Sequence, residues 1–540
     1  MNVFFLYEDR EWMNIKRYND AQSIIQDLGL KTLFSISAKE VMRRNKEVVG
    51  IGKEDPFLAQ TMKTVMMVPL RTQEEIYYRH EMLTDVMEHK DFIYDLYSCV
   101  DDMLKKWDDL GRKVNSKLAS RDSVAKLIAD IHVLQLFVNT LNTIKRLFKK
   151  EAETLTAPGF AAFYERLCEE YSDEKQAALE KILGDISFYA EDIATNQKEK
   201  TETRPKIVLG CTLTDGLKCS DFVVEDVLTK VRKYRGHNSV VTKVQDYIYA
   251  QRPGAILLRK NANVQEQVAS MEYEVAKYLV SACAPFMKSL NSFFDQMHFQ
   301  LGFFKAAINL QHHISRLNLP YCYPKVQSRE VLKFADLKEF VMAIEQRVAP
   351  VGNTCDISNR MLLIVTGANQ GGKSTFLRSV GIAQIMMQCG LPVVAESYES
   401  GIFPAFFTHF TRREDSAMNS GRLDEELKRM SQIVDNLGES SMVLLNESFA
   451  TTTEKEGSVI AYDIIKALTE ADVKVLTVTH LLSFAQRMFK ESKDTQSTHI
   501  EFFCAEREAN GKRTFRMIQH EPELTSFGMD LYNSIIGDEN

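Results

Sequence analysis

Residues 361–389, MLLIVTGANQGGKSTFLRSVGIAQIMMQC, constrain the fold more than any other stretch. The apolar run at 361–365 is too short for a helix and rich enough in β-branched residues for a buried strand. Gly367, Gly371, Gly372, Lys373 and Ser374 follow in the order G-x-x-x-x-G-K-S. Beyond them Phe376, Val380, Ala383 and Met387 recur at three- and four-residue spacing, which predicts a helix ended by Gly390. In such a phrase the glycines let backbone N–H groups turn inward, and the new helix adds the positive end of its dipole. Lys373 can reach the β- and γ-phosphates, and the Ser374 hydroxyl can ligate Mg²⁺. Strand before and helix after is the setting the motif needs, so the stretch predicts a nucleoside triphosphate site.

That strand–loop–helix unit sits in the last part of a 540-residue chain, long enough for two to four domains. An α/β domain is expected over 321–540. Before it, 61–320 reads as a mainly helical region with a small strand-containing insert near 206–258, and 1–60 reads as short helices. Tyr18-Asn19-Asp20 and Gly29 bracket a first helix. Thr72 to Glu75, TQEE, marks a fresh start after Pro69. Leu127, Ile131, Leu134, Val138 and Leu141 form a sustained helical stripe. Asp215-Gly216 between two strand-like runs predicts a hairpin. A long helical pattern over 263–318 is expected to break at Pro285.

Composition narrows the class. No apolar run approaches the roughly 18 residues a membrane span requires. The N-terminus turns acidic after a brief apolar run, unlike a secretory signal. The nine cysteines are scattered without a C-x-x-C pair, which argues against zinc and disulfides and for a reducing, cytoplasmic setting, with association to the nucleoid open. With a net charge of −7, contact with DNA would have to come from local basic patches. Lys230, Arg232, Lys233 and Arg235 beside Tyr234 could grip a phosphate backbone, although most such clusters are solvated surface.

Three later segments complete the candidate site. Residues 441–447, SMVLLNE, read as a buried strand ending in an acid; Glu447 is placed to take a proton from the water that attacks a γ-phosphate. Asn446 precedes it, an amide able to orient a magnesium-bound water but without charge. Residues 473–480, VKVLTVTH, are a second buried strand, ending in His480, which can sense or polarise the γ-phosphate. Ser420-Gly421-Arg422 opens a helix whose first turn carries Asp424, Glu425 and Glu426, an acidic start that suits the helix dipole.

Taken in that order, the P-loop, the SGR helix, the strand-Asn-Glu and the strand-Thr-His resemble the MutS family of ABC-type ATPases. TGANQGGKSTFLRSVGIAQIMMQCGLPVVAE is similar to that family's G-P-N-M-G-G-K-S-T loop and helix, FFTHFTRREDSAMNSGR to its T-R-x-G…D…S-G-R segment, and LTSFGMDLY to its closing segment. Upstream, TMKTVMMVPLRTQEEIYYRHEMLTDVMEH resembles the phrase leading into the family's levers. The likeness covers roughly 60–540. It implies a multidomain chain: a mostly α-helical core and lever region, then a C-terminal α/β P-loop ATPase domain of the ABC type. It implies ATP and Mg²⁺ held by Gly367, Ala368, Asn369, Gln370, Gly371, Gly372, Lys373, Ser374 and Thr375, with Asn446 on the metal through water. Glu447 would be the base and His480 the switch residue. It also implies a homodimer with composite ATP sites, in which Ser420, Gly421 and Arg422 act on the partner's nucleotide.

The departures shape the expected activity. Asn446 stands where the family has Asp, Leu423-Asp424-Glu425 where it has S-T-F, and NESFATTTEKEG lacks the usual arginine and flanking glycines. Hydrolysis is therefore expected to be slow. Only about 60 residues precede the core, too few by domain-size norms for the mismatch-reading domain, and the F-x-E string at Phe163-Tyr164-Glu165 lies in helical scaffold. The resulting expectation is an ATP-driven clamp on double-stranded or branched DNA in repair or recombination, without direct mismatch wedging. The alternatives are an ATPase acting on ribosomes or RNA–protein assemblies, and a nucleotide-gated module with little hydrolysis.

Overall fold

The computed structural model describes residues 3–8, 16–44, 47–114, 123–181, 206–214, 218–228, 262–368, 370–411, 421–496, 499–508 and 512–522. The chain divides into two compact units, one made of 1–3, 94–155 and 161–299, the other of 4–93, 156–160 and 300–540.

The first unit is helical with one hairpin. Its helices come from Lys90–Val114, Ser123–Glu151, Pro158–Glu170 and Ala262–Arg316, all but Ser123–Glu151 including residues of the second unit. The stripe read at 127–141 lies in Ser123–Glu151, with Ile131, Val138 and Leu141 buried. Phe137 meets Phe294 edge-on at 4.6 Å, and Phe148 packs on Phe163 at 5.2 Å. Phe163 of the F-x-E string is thus a core residue. Lys206–Thr214 and Lys218–Leu228 pair antiparallel as the Asp215-Gly216 signal predicts, although 215–217 themselves lie outside the described residues. So does the basic cluster at 230–235.

One expectation fails here. Ala262–Arg316 runs unbroken through Pro285. Proline removes one backbone donor but leaves the freed carbonyl tolerable where water reaches it, and Ala284 and Pro285 are both exposed.

The second unit is built on a six-stranded sheet. Its strands are β1 (Leu362–Thr366), β2 (Ala405–Phe410), β3 (Ser441–Asn446), β4 (Lys474–Val478), β5 (Ile500–Arg507) and β6 (Arg513–Gln519). Their spatial order is β2-β3-β4-β1-β5-β6, all parallel except β6. Every residue of β1 and β4 is buried, as expected for strands covered on both faces. On one face Leu362, Ile364, Val443, Leu445 and Val475 pack against α2 (Arg422–Asp435), α3 (Glu454–Glu470) and α4 (Leu482–Asp494). The alternate residues face α1 (Lys373–Gln388), where the absent side chain of Gly381 leaves room for Leu444 and Leu28. A four-stranded sheet of Lys325–Val326, Ser397–Ser400, Leu332–Leu337 and Asn353–Asp356, in that spatial order, adjoins it in the same unit.

Residues 4–93 belong to this unit, which the sequence did not suggest. Ala21–Asp27 forms with Asp20 as its N-cap, as read, and Lys31–Ser37 follows. Then comes a hairpin, Lys39–Arg44 with Glu47–Glu54, instead of further helix. The β-branched Val41, Val48, Val49 and Ile51 favour extended backbone there. Gln73–Glu88 starts on a complete Thr72/Glu75 capping box. The segment docks on the far end of α1. Gln388 Nε2 donates to the Tyr18 hydroxyl (2.9 Å), and the Leu70 N–H donates to the Gln388 carbonyl (2.7 Å). Gly390 closes α1 in a left-handed turn, φ 73°, with its N–H on the Met387 carbonyl and that of Leu391 on Met386. The fully buried Arg79 guanidinium packs there and donates to the carbonyls of Cys389 (2.9 Å) and Leu6 (2.8 Å). Among the described residues no helix is long and apolar enough to cross a membrane.

Candidate active site

The parallel register assembles the site. Thr366 at the end of β1 pairs with Cys504 of β5, Val365 with Val478 of β4, Val478 with Asn446 of β3, and Asn446 with Phe410 of β2. The residues just past these paired positions therefore lie side by side: Gly367, Thr479-His480, Glu447 and Thr411 beyond their strands, and Ala505 still within β5. β1 lies between β4 and β5, where the chain's direction of winding reverses. Such switch points are where open α/β sheets bind ligands.

The loop after β1 depends on its glycines. Gly367 has φ 109° and Gly372 has φ 91°. A Cβ on Gly367 would stand 2.9 Å from the Ala505 backbone nitrogen, and one on Gly371 would stand 2.7 Å from the Ala505 Cβ. Gly372 caps α1 without any side chain, so among the described residues the first turn of a 16-residue helix has no capping side-chain acceptor. That is the chemistry of an anion cradle. Lys373 is 4% exposed and its ammonium donates to the Gly367 (2.8 Å) and Ala368 (3.0 Å) carbonyls. Burial lowers its pKa, while Glu447 and Cys504 pull it back up. Gln370, at φ 59°, accepts a hydrogen bond from Arg513 Nη1 on β6 (2.9 Å). Ser374 and Thr375 are half-buried in the first turn of α1; Asn369 lies outside the described residues.

Opposite the loop, His480 Nε2 donates to Glu447 Oε1 at 2.8 Å. That hydrogen bond, outweighing partial burial, holds the Glu447 carboxyl below the usual carboxylate range. Its backbone is also constrained. Glu447 has φ 56° and Phe449 φ 65°, left-handed conformations that cost a non-glycine residue about 1–2 kcal/mol each. The Glu447 N–H reaches the Val478 carbonyl (2.8 Å), and the Thr411 hydroxyl donates to the Glu447 carbonyl (2.7 Å). Asn446 is half-buried, and its Oδ1 is a buried acceptor with no hydrogen-bond partner among the described residues. An orphaned acceptor beside a capless helix start and a buried lysine fits a site for phosphate and a hydrated cation.

The predicted residues do not all meet here. Gly421 and Arg422 start α2, Gly421 as its N-cap, and Ser420 lies outside the described residues. Glu426, read as part of an acidic start that suits the helix dipole, is 5% exposed and turned into the protein. Thr411, Ala505 and Arg513 were missed, because only the sheet register brings Ala505 and Arg513 to the loop and Thr411 to Glu447.

The fold and site define a doubly wound α/β domain with a glycine cradle, a buried lysine and a carboxylate–imidazole pair at its switch point. The chain belongs to the MutS family. The model of MutS domain V matches residues 363–536, and that of the MutS2 N-terminal domain matches 71–317. The DNA mismatch repair protein MutS of Flavobacterium psychrophilum is 23% identical over 465 residues, 79% of this chain and 50% of that protein. The DNA mismatch repair protein MSH3 of Debaryomyces hansenii is 29% identical over 200 residues, 35% of this chain and 19% of that protein. Endonuclease MutS2 of Streptococcus sanguinis is 31% identical over 119 residues, 22% of this chain and 15% of that protein. The chain spans about half the length, or less, of these relatives.

Proposed function

We propose that the chain is a slow ATPase whose nucleotide cycle drives a clamp on double-stranded or branched DNA, in repair or recombination. The observation that carries this reading is the strand register that sets the Glu447–His480 pair beside Lys373. The second unit is read as an ABC-type P-loop ATPase domain. Its loop N–H groups and Lys373 would hold the triphosphate tail. Ser374, and Asn446 through water, would hold Mg²⁺, which when bound offsets the phosphate charge. Glu447 accepts a proton from water as the water oxygen bonds to the γ-phosphorus and the bond to the β–γ bridging oxygen breaks. His480 fixes the carboxylate's attitude through Nε2. Gly421 and Arg422 would complete the site of a second copy.

The test joins two measurements. ATP turnover should be slow, and lost in Glu447→Gln. Binding to duplex, junction and single-stranded DNA should change with a non-hydrolysable ATP analogue and fall steeply with salt. No binding to any of these at low salt would remove the DNA reading, and co-sedimentation with ribosomes would redirect it to RNA–protein assemblies.

A second reading, a nucleotide-gated module with almost no hydrolysis, is favoured by the uncharged Asn446. Asn446→Asp restores a carboxylate next to the base and should raise turnover at low Mg²⁺ several-fold. A wild-type rate equal to that of Glu447→Gln would favour the module.

A further inference from the structure

The backbone just past Glu447 is held in an unusual shape by side chains from two other elements. Glu426, from the first turns of α2, accepts the Phe449 N–H (3.0 Å) and the Thr451 hydroxyl (3.0 Å) on its Oε2. His409 of β2 joins the same corner: its Nδ1 pairs with the Ser448 hydroxyl (2.7 Å), its Nε2 with the Glu426 carbonyl (3.1 Å), and its ring stacks on Phe449. Gly457 at the start of α3 presses from the other side, where a Cβ would stand 2.5 Å from the Phe449 carbonyl oxygen. Two left-handed residues, Glu447 and Phe449, flank Ser448 in this corner. Such conformations persist only where the surroundings fix them.

We infer that Glu426 is a positioning residue for the hydrolytic base: its buried carboxylate ties down the Phe449–Thr451 backbone and so sets the direction in which Glu447 leaves β3. A buried carboxylate with two donors, supplied by a helix whose start is Gly421, also makes the base respond to any displacement of that helix. A solvated acid compensating the dipole would do neither. The inference rests on Glu447 being the base.

Four variants decide it, each read by kcat and KM for ATP and by the Kd of a fluorescent ATP analogue. Glu426→Ala should lower kcat about 10- to 100-fold, the scale of a misplaced catalytic group, with analogue Kd changed less than threefold. Glu426→Gln, whose amide oxygen accepts the same two hydrogen bonds, should recover most of that loss. Thr451→Val removes one bond without touching α2, and should lower kcat several-fold in the same direction, which keeps the test available if Glu426→Ala does not fold. Glu447→Gln is the reference. If it is inactive while Glu426→Ala and Thr451→Val turn over like wild type, the inference fails and the base assignment stands. If Glu447→Gln itself turns over like wild type, the base assignment fails. A Glu426→Ala loss that appears in Kd and not in kcat also overturns the inference.

Discussion

Three alanine substitutions in the phosphate loop separate backbone strain from steric crowding. Gly372→Ala meets only the first: φ is 91°, but the nearest atoms to its Cβ, in Phe515, stand at an ordinary 3.5 Å. Gly371→Ala meets only the second: its φ is not left-handed, yet its Cβ would stand 2.7 Å from the Ala505 Cβ and 2.9 Å from the Ala368 carbonyl. Gly367→Ala meets both, at φ 109° and 2.9 Å from the Ala505 nitrogen. The strain is worth about 1–2 kcal/mol. Crowding is worth roughly 1–3 kcal/mol. At about 1.4 kcal/mol per tenfold, nucleotide affinity should fall roughly five- to thirtyfold for Gly372→Ala and roughly five- to a hundredfold for Gly371→Ala. For Gly367→Ala the fall should be roughly the product of the two. Titration with a fluorescent ATP analogue measures each, with thermal melts as controls for folding. Adding Ala505→Gly should relieve Gly371→Ala in part, since it deletes the clashing Cβ, and should leave Gly367→Ala impaired, since the backbone nitrogen stays. Equal affinities across the series, or rescue of Gly367→Ala alone, would refute this account of the loop.

Other expectations follow from the same geometry. The folded pKa of Glu447 is depressed, so its ionised form persists above the unfolded carboxylate range and is lost only as pH falls through the lower folded value. Removing the main cause with His480→Ala should move the acid limb of the pH–rate profile upward; an unmoved limb would contradict it. Lys373→Met should abolish analogue binding without lowering the melting temperature, because burial disfavours the charged lysine in the fold and the methionine needs no such desolvation. A fall of many degrees would show that its bonds to the loop carbonyls outweigh burial. Leu28→Ala, at a fully buried position against α1, should cost about 2–5 kcal/mol of stability; an unchanged denaturant midpoint would mean that residues 4–93 do not dock there.

What the sequence revealed was local. The strand, the glycine loop and the helix stripe of Phe376, Val380, Ala383 and Met387 each declare themselves within a few residues, and all four stripe residues are buried. So do the Thr72/Glu75 capping box and the strand ends at Asn446 and Val478. What escaped was long-range. Tyr18 and Gln388 are 370 positions apart, and nothing in the first 60 residues marks them as a cover for α1. The one hint was Gln384 and Gln388 in the otherwise apolar second half of α1: both are fully buried and donate to the carbonyls of Gly401 and Phe403. Glu426 misled because an acid in a helix's first turns already has a local reason to be there. Pro285 misled because its effect depends on which side of the helix meets water.

In the proposed reaction Glu447 takes the proton from water at a site whose triphosphate is held by the loop and Lys373. Single-turnover hydrolysis of ATP by Glu447→Gln, with analogue Kd measured on the same preparation, tests it most directly. Wild-type affinity with hydrolysis reduced at least a hundredfold is the predicted result. Hydrolysis at the wild-type rate, or loss of binding together with hydrolysis, would contradict it.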